Sequence, residues 1–176
     1  RQPAGDQVQG GCDWPGPLIN VGCQLAHESR DSRSVRACLP AAEVAHVILD
    51  SKIEESLPKI RIDRRRLSKV FVNLIQNAIQ HSPQNSSVTI EAQRINDGNH
   101  EWVQFAIRDS GKGIPEEDLL KIFEPFFSKR RGGTGLGLAI AQRIMQEHGG
   151  KLIAGNNPEG GACMIARFPI PFEGDS

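Results

Sequence analysis

Two asparagines, Asn73 and Asn77, stand four residues apart inside a run that otherwise reads as one helix. That spacing puts both amides on one face. Asparagine is a mediocre helix former, so a pair in mid-helix needs a reason. Its amide oxygen is a neutral donor suited to Mg²⁺, which takes oxygen ligands together with substrate phosphates. A second segment, Asp109-Ser-Gly111-Lys-Gly113-Ile-Pro115, sets an acid at the end of an apolar strand beside two glycines two apart. Glycine lets the backbone turn tightly and approach a ligand closely. An ionised aspartate on a pocket floor only accepts hydrogen bonds, so it can receive an N–H from an exocyclic amine such as that of adenine. A third segment, Gly132-Gly-Thr-Gly135-Leu-Gly137-Leu138, opens a helix. Unpaired amides there, with no side chains in the way, form a site for phosphates. It follows a basic loop and not a strand, so it is not a dinucleotide fingerprint, and no Gly-Lys-Ser/Thr ends it as in a Walker A loop. A fourth, Ile122-Phe123-Glu-Pro-Phe126-Phe127-Ser-Lys129-Arg130-Arg131, places three phenylalanines before three cations. The aromatics could anchor a loop whose cations meet phosphates when it closes. Singly, each segment also has an ordinary reading: a solvated stripe, a tight turn, a helix start, an apolar cluster beside a basic turn.

The elements that must position these residues follow from periodicity. Arg64 to His81 carries apolar residues at Leu67, Val70, Phe71, Leu74, Ile75, Ala78 and Ile79, the spacing of an amphipathic helix. Asp63 is its N-cap and Pro83 lies past its end. Ala41 to Leu49 predicts a short helix after Pro40, and Lys59 to Ile62 a short strand. Val88 to Ile95 and Trp102 to Ile107 alternate, and Asn96-Asp97-Gly98-Asn99 between them predicts a hairpin. A short helix is expected from Glu116 to about Ile122. A longer one runs from Leu136 to His148, closed by Gly149 and Gly150. Strands at Lys151–Ala154 and Ala162–Phe168 flank a loop of Asn156, Asn157, Pro158, Gly160 and Gly161. Mixed elements with hairpin-linked strands predict an α+β fold, a two-layer α/β sandwich whose mixed, mostly antiparallel sheet is covered on one face by helices.

Together and in this order, the strings NLIQNAIQHSP, DSGKGIP, IFEPFF and GGTGLGLAIAQRIMQEHGG resemble the N box, first glycine box, phenylalanine box and second glycine box of the histidine-kinase ATP-binding domain. That domain shares a superfamily with type II topoisomerases, Hsp90 and MutL. The resemblance covers about residues 39 to 172. It implies a Bergerat-type sandwich with ATP between the helical layer and a flexible lid, here roughly Glu124 to Thr134. It assigns Asn77 to Mg²⁺, Asn73 to the polar position one turn earlier, and Asp109 to adenine. Gly111 and Gly113 shape the adenine side. Gly133, Gly135 and Gly137, with Leu136 between them, hinge the lid and bring amides to the phosphates. Thr134 stands where the family often has a hydroxyl near the adenine aspartate. ATP hydrolysers of the superfamily carry a glutamate where this chain has Asn73. A neutral amide is a poor general base, so phosphoryl transfer to a protein nucleophile is expected over hydrolysis.

The chain departs from the family in two places. Relatives often have a lysine three residues after the second asparagine, where this chain has Gln80; Lys129, Arg130 and Arg131 are the candidates to replace its charge. Ala26-His27-Glu28 begins like a phosphoacceptor motif, but Ser29-Arg30-Asp31-Ser32 breaks it. Only 50 positions (77 − 27) separate His27 from Asn77, too few for a helical hairpin plus the start of the domain. His27 is therefore read as part of a polar tail. Expected partners are a separate histidine phosphoacceptor/dimerisation region and a response regulator receiver domain.

Lys+Arg and Asp+Glu are both 21 in 176 residues, which argues against nucleic-acid binding through bulk positive charge. No apolar run approaches the roughly 18 residues of a membrane span, so no membrane contact is expected. Cys12, Cys23, Cys38 and Cys163 form no CxxC pair, so a reduced, cytoplasmic compartment is expected, and Cys12, Cys23 and Cys38 are read as free thiols. Residues 1–38 lack lysine and any period, and are expected to be a tail or linker, with 173–176 a C-terminal tail. Two other functions fit the same residues: a non-catalytic nucleotide-binding interaction module, and a serine kinase of the anti-sigma type.

Overall fold

A computed structural model of the chain describes residues 17–20, 33–98 and 100–171. The expectations for Cys12, Cys23, His27, Asn99 and residues 173–176 lie outside them. In chain order the elements are β1 (Leu18–Asn20), α1 (Arg33–Ala45), β2 (Ile48–Ile53), β3 (Lys59–Arg61), α2 (Arg64–His81), β4 (Ser87–Asn96), β5 (Glu101–Arg108), α3 (Gly137–Glu147), β6 (Lys151–Asn156) and β7 (Ala162–Pro169). The main sheet has the order β2-β4-β5-β7-β6, and β1 pairs with β3 in a separate two-stranded ladder. Only β2–β4 is parallel within the main sheet. The helices cover one face, giving the expected two-layer sandwich.

α2 is the central helix, packed between α1 and α3. Its seven predicted apolar residues are all buried. Val88, Ile90 and Ala92 of β4 and Val103, Phe105 and Ile107 of β5 meet it from the sheet. Phe71, Phe105 and Phe168 join the layers through edge-on contacts at 4.8 and 5.9 Å. Asp63 caps α2 as predicted, its Oδ1 accepting from the amides of Arg65 (2.7 Å) and Arg66 (3.2 Å). The Arg66 amide contact is the main reason that the Asp63 carboxyl is held below its usual pKa. A depressed folded pKa contributes stability above the unfolded value, lost as pH falls through the folded one. Replacing Asp63 by alanine is therefore expected to cost about 1 kcal/mol at neutral pH. Urea melts should show the loss shrinking below about pH 4.

Three local expectations are corrected. α1 begins at Arg33 and runs through Pro40, so the boundary expected after residue 38 falls inside a helix. Val35 and Cys38 of that stretch belong to the core. Burial pushes the Cys38 thiol up to about 11. The helix also stops at Ala45 and not at Leu49. His46 takes φ +54°, its amide donates to the Glu43 carbonyl, and Val47 donates to Ala42. This left-handed stop usually carries glycine, so the sequence holds no sign of it. Ile48 and Leu49 then enter β2. Finally, the helix expected at Glu116–Ile122 is a single 3-10 turn, Glu116–Asp118, followed by tight turns. By contrast, Gly149 and Gly150 end α3 as expected, with Gly149 at φ +68° and Gly150 donating to Met145. No helix among the described residues is long and apolar enough to cross a membrane.

Candidate functional site

A cavity of about 700 Å³ opens between α2, the loop after β5 and the segment leading into α3. α2 presents Asn73, Gln76, Asn77 and Gln80 to it, one helix face over two turns. The Asn77 side chain has no partner among the described residues. Asn73 is committed differently: its Nδ2 donates to the Gly137 carbonyl at 3.1 Å, tying α2 to the first turn of α3.

Asp109 immediately follows β5, lines the cavity and is 8% exposed. Its Oδ1 accepts two backbone N–H bonds, from Gly111 at 2.8 Å and Ala162 at 2.9 Å. Its Oδ2 has no partner among the described residues. One carboxylate oxygen thus fixes the group, and the other remains to receive a donor. Gly113 lines the cavity at φ +79°. Gly111 does not: it packs on the end of α2, where a Cβ would come within 2.3 Å of the His81 carbonyl.

The segment leading into α3 contributes Lys129, Arg130, Gly133, Thr134 and Gly135, and α3 itself Gly137, to the lining. Arg131 and Leu136 are not part of it. Gly135 takes φ +65° and crosses so close to Phe126 that a Cβ would lie 2.5 Å from its carbonyl carbon. The Phe126 amide closes this crossing onto the Gly135 carbonyl at 3.0 Å. α3 begins at Gly137 with no side chain capping it. Its first amides are free to bind an anion. Thr134 lines the same cavity as Asp109, and its Oγ1 accepts from the Leu136 amide at 3.5 Å. Of the three candidate cations, Lys129 forms an ion pair with Asp118, Arg130 faces the cavity without a side-chain partner among the described residues, and Arg131 lies outside it.

Sequence reasoning missed the β6–β7 turn as a support. Asn156 clamps the backbone of Ile114 in both directions, receiving its N–H at 2.7 Å and donating to its carbonyl at 2.8 Å. Lys112, His81 and Asp118 were also missed as cavity residues. The only available signal was position, because Lys112 lies between the two glycines already singled out. No cluster of three or more His, Cys, Asp or Glu that could hold a metal occurs among the described residues. The fit to Mg²⁺ rests on the donor itself: the Asn77 amide oxygen, unpartnered among the described residues, is a neutral oxygen ligand of the kind that shares this ion with substrate phosphates.

Residues 62–172 match the histidine kinase-, DNA gyrase B- and HSP90-like ATPase family. The chain belongs to that family. Within it, the similar proteins are histidine kinases. The alginate biosynthesis sensor protein KinB of Pseudomonas aeruginosa is 34% identical over 134 residues, covering 75% of this chain and 22% of KinB. The catalytic domain of histidine kinase ThkA superposes with a TM-score of 0.69 at 28% identity, covering 79% of this chain and 89% of that domain. A structure of ThkA in complex with response regulator protein TrrA superposes at 0.71 with 26% identity, covering 90% of this chain and 43% of ThkA. The fold is that of the histidine-kinase catalytic domain. The chain spans between about a fifth and a third of the curated relatives it matches.

Proposed function

We propose that the chain is the ATP-binding catalytic part of a cytoplasmic two-component sensor kinase, holding Mg-ATP and donating its γ-phosphate to a histidine on a separate phosphoacceptor/dimerisation region. One observation carries this: an anchored carboxylate (Asp109), an amide without a partner among the described residues (Asn77) and a glycine-rich helix start with no side-chain cap line one cavity. That cavity is the ATP site, and Glu124–Thr134 is its lid. Asp109 Oδ2 receives an N–H of the adenine amine. Asn77 offers its carbonyl oxygen to Mg²⁺, which when bound neutralises phosphate charge. The first amides of α3 donate to phosphate oxygens, and Arg130 is a cavity cation without a side-chain partner among the described residues and is free to approach them. Gln80 supplies an amide there and no charge.

The acceptor imidazole nitrogen attacks the γ-phosphorus, the bond to the β–γ bridging oxygen breaks, ADP leaves and the imidazole proton passes to water. Transfer is favoured over hydrolysis because the residue one turn before Asn77 is an amide already engaged with Gly137, not a carboxylate able to activate water. A response regulator receiver domain would take the phosphoryl group next, and the complex of ThkA with TrrA supports a partner of that class.

The test supplies the parent protein's phosphoacceptor hairpin in trans with γ-labelled ATP and Mg²⁺. Acid-labile, base-stable label on the hairpin is expected, with almost none on the chain alone. Nucleotide binding without transfer would select the non-catalytic module instead. Acid-stable label would select a serine kinase.

A further inference from the structure

We infer that Asp118 is a positioning residue for nucleotide recognition, acting through Lys129: it holds that lid cation as its counter-ion and so withholds one positive charge from the phosphates. The inference rests on the proposed ATP site and deepens it. Asp118 and Lys129 both line the cavity and form an ion pair across the lid. The two partners are unequal. The Asp118 side chain is 6% exposed and the Lys129 side chain 63%. Asp118 is also fixed by its backbone, its amide donating to the Pro115 carbonyl at 2.9 Å and its carbonyl accepting from Lys121 at 2.8 Å and Ile122 at 2.9 Å. The carboxylate therefore stays, and the lysine is the partner that can move.

A nearly buried carboxylate left without a counter-charge is costly. Lys129 is thus drawn to Asp118 whenever no stronger anion competes, and the pair presents no net charge to the cavity. A polyphosphate has to compete with Asp118 for the ammonium group. Each added phosphate then gains less from Lys129 than it would from an unpaired lysine. Asp118 sets how steeply affinity rises from the monophosphate to the triphosphate, whereas Asp109 addresses the base.

The experiment titrates the full chain with AMP, ADP and ATP in Mg²⁺ by calorimetry, after thermal melts confirm folding of each variant. Asp118→Asn keeps the shape and removes the charge. It is expected to tighten ATP about tenfold, ADP less and AMP by under twofold, because one positive charge is released near the phosphates. Lys129→Gln alters an exposed residue and strands the Asp118 charge, so ATP should weaken about tenfold with AMP unchanged. In the double variant the Asp118→Asn gain over native should vanish, and Asp118→Glu should restore the native ATP-to-AMP ratio. An equal change for AMP and ATP in either single variant would overturn the inference. So would a gain that survives loss of Lys129. A native chain that binds none of the three nucleotides would remove the proposed site itself. Native binding with unaltered ratios in both single variants would remove only the role of Asp118.

Discussion

Asp109→Asn is expected to weaken ATP binding by about 1–3 kcal/mol, roughly 5- to 150-fold, while the domain remains folded. The substitution is nearly isosteric, and the new side-chain amide can keep its carbonyl oxygen on the Gly111 and Ala162 N–H groups that now donate to Oδ1. The lost group is then the outward Oδ2, replaced by an NH₂. An amine of the base would meet a second donor where it needs an acceptor. The effect should therefore be the same for AMP, ADP and ATP, since it acts at the base and not at the phosphates. Calorimetry on all three, with a melting curve of the variant, checks both halves. Native-like affinity in a folded variant would show that the free carboxylate oxygen does not read the nucleotide. Asp109→Ala is a poorer probe, because it also orphans two backbone amides.

The largest effect on stability is expected at a residue with no direct claim on ligand. Gly161 has φ +84°, and a Cβ there would lie 2.0 Å from the Asp109 carbonyl oxygen. An alanine at 161 would suffer both left-handed backbone strain and a collision with the strand end that carries the proposed adenine-reading acid. A loss above about 3 kcal/mol is expected, or roughly 6–12 °C in melting temperature for a domain of this size. Gly160 is the internal control. It has φ +105° in the same turn, but a Cβ there meets nothing within 4 Å. Gly160→Ala should cost only the strain, about 1–2 kcal/mol. Equal melting of the two variants would mean that the close approach to Asp109 is not the constraint. Residual folded Gly161→Ala should also bind nucleotide poorly, because relieving the clash moves Asp109.

The amino-acid sequence determined what depends on neighbours within a turn or two. The apolar stripe of α2, its Asp63 cap, the alternation of β4 over Val88–Gln93 and the glycine stop of α3 stand as read. The alternation expected of β5 does not, since Trp102 and Ala106 on one face are buried as well as Val103, Phe105 and Ile107 on the other. The family, too, was legible in four short strings, because each is a local pattern of residue types and spacings. The α1–β2 boundary was not, since a histidine takes the left-handed position where glycine would have signalled the stop. Nor was β2 itself, whose exposed and half-buried residues become a strand by pairing in parallel with β4. Within the site, sequence nominated the residues and the tertiary structure divided the labour. It gave Asn73 a carbonyl 64 positions away, Asp109 an amide 53 positions away, and Ile114 a clamp 42 positions away. It left Asn77 unpartnered among the described residues, kept Arg131 out of the cavity and paired Lys129 with a buried acid. A residue's type and spacing fix which bonds it can make. Only the closing of the sheet and helices around it decides which of those bonds are already taken, and therefore which atoms remain for a ligand.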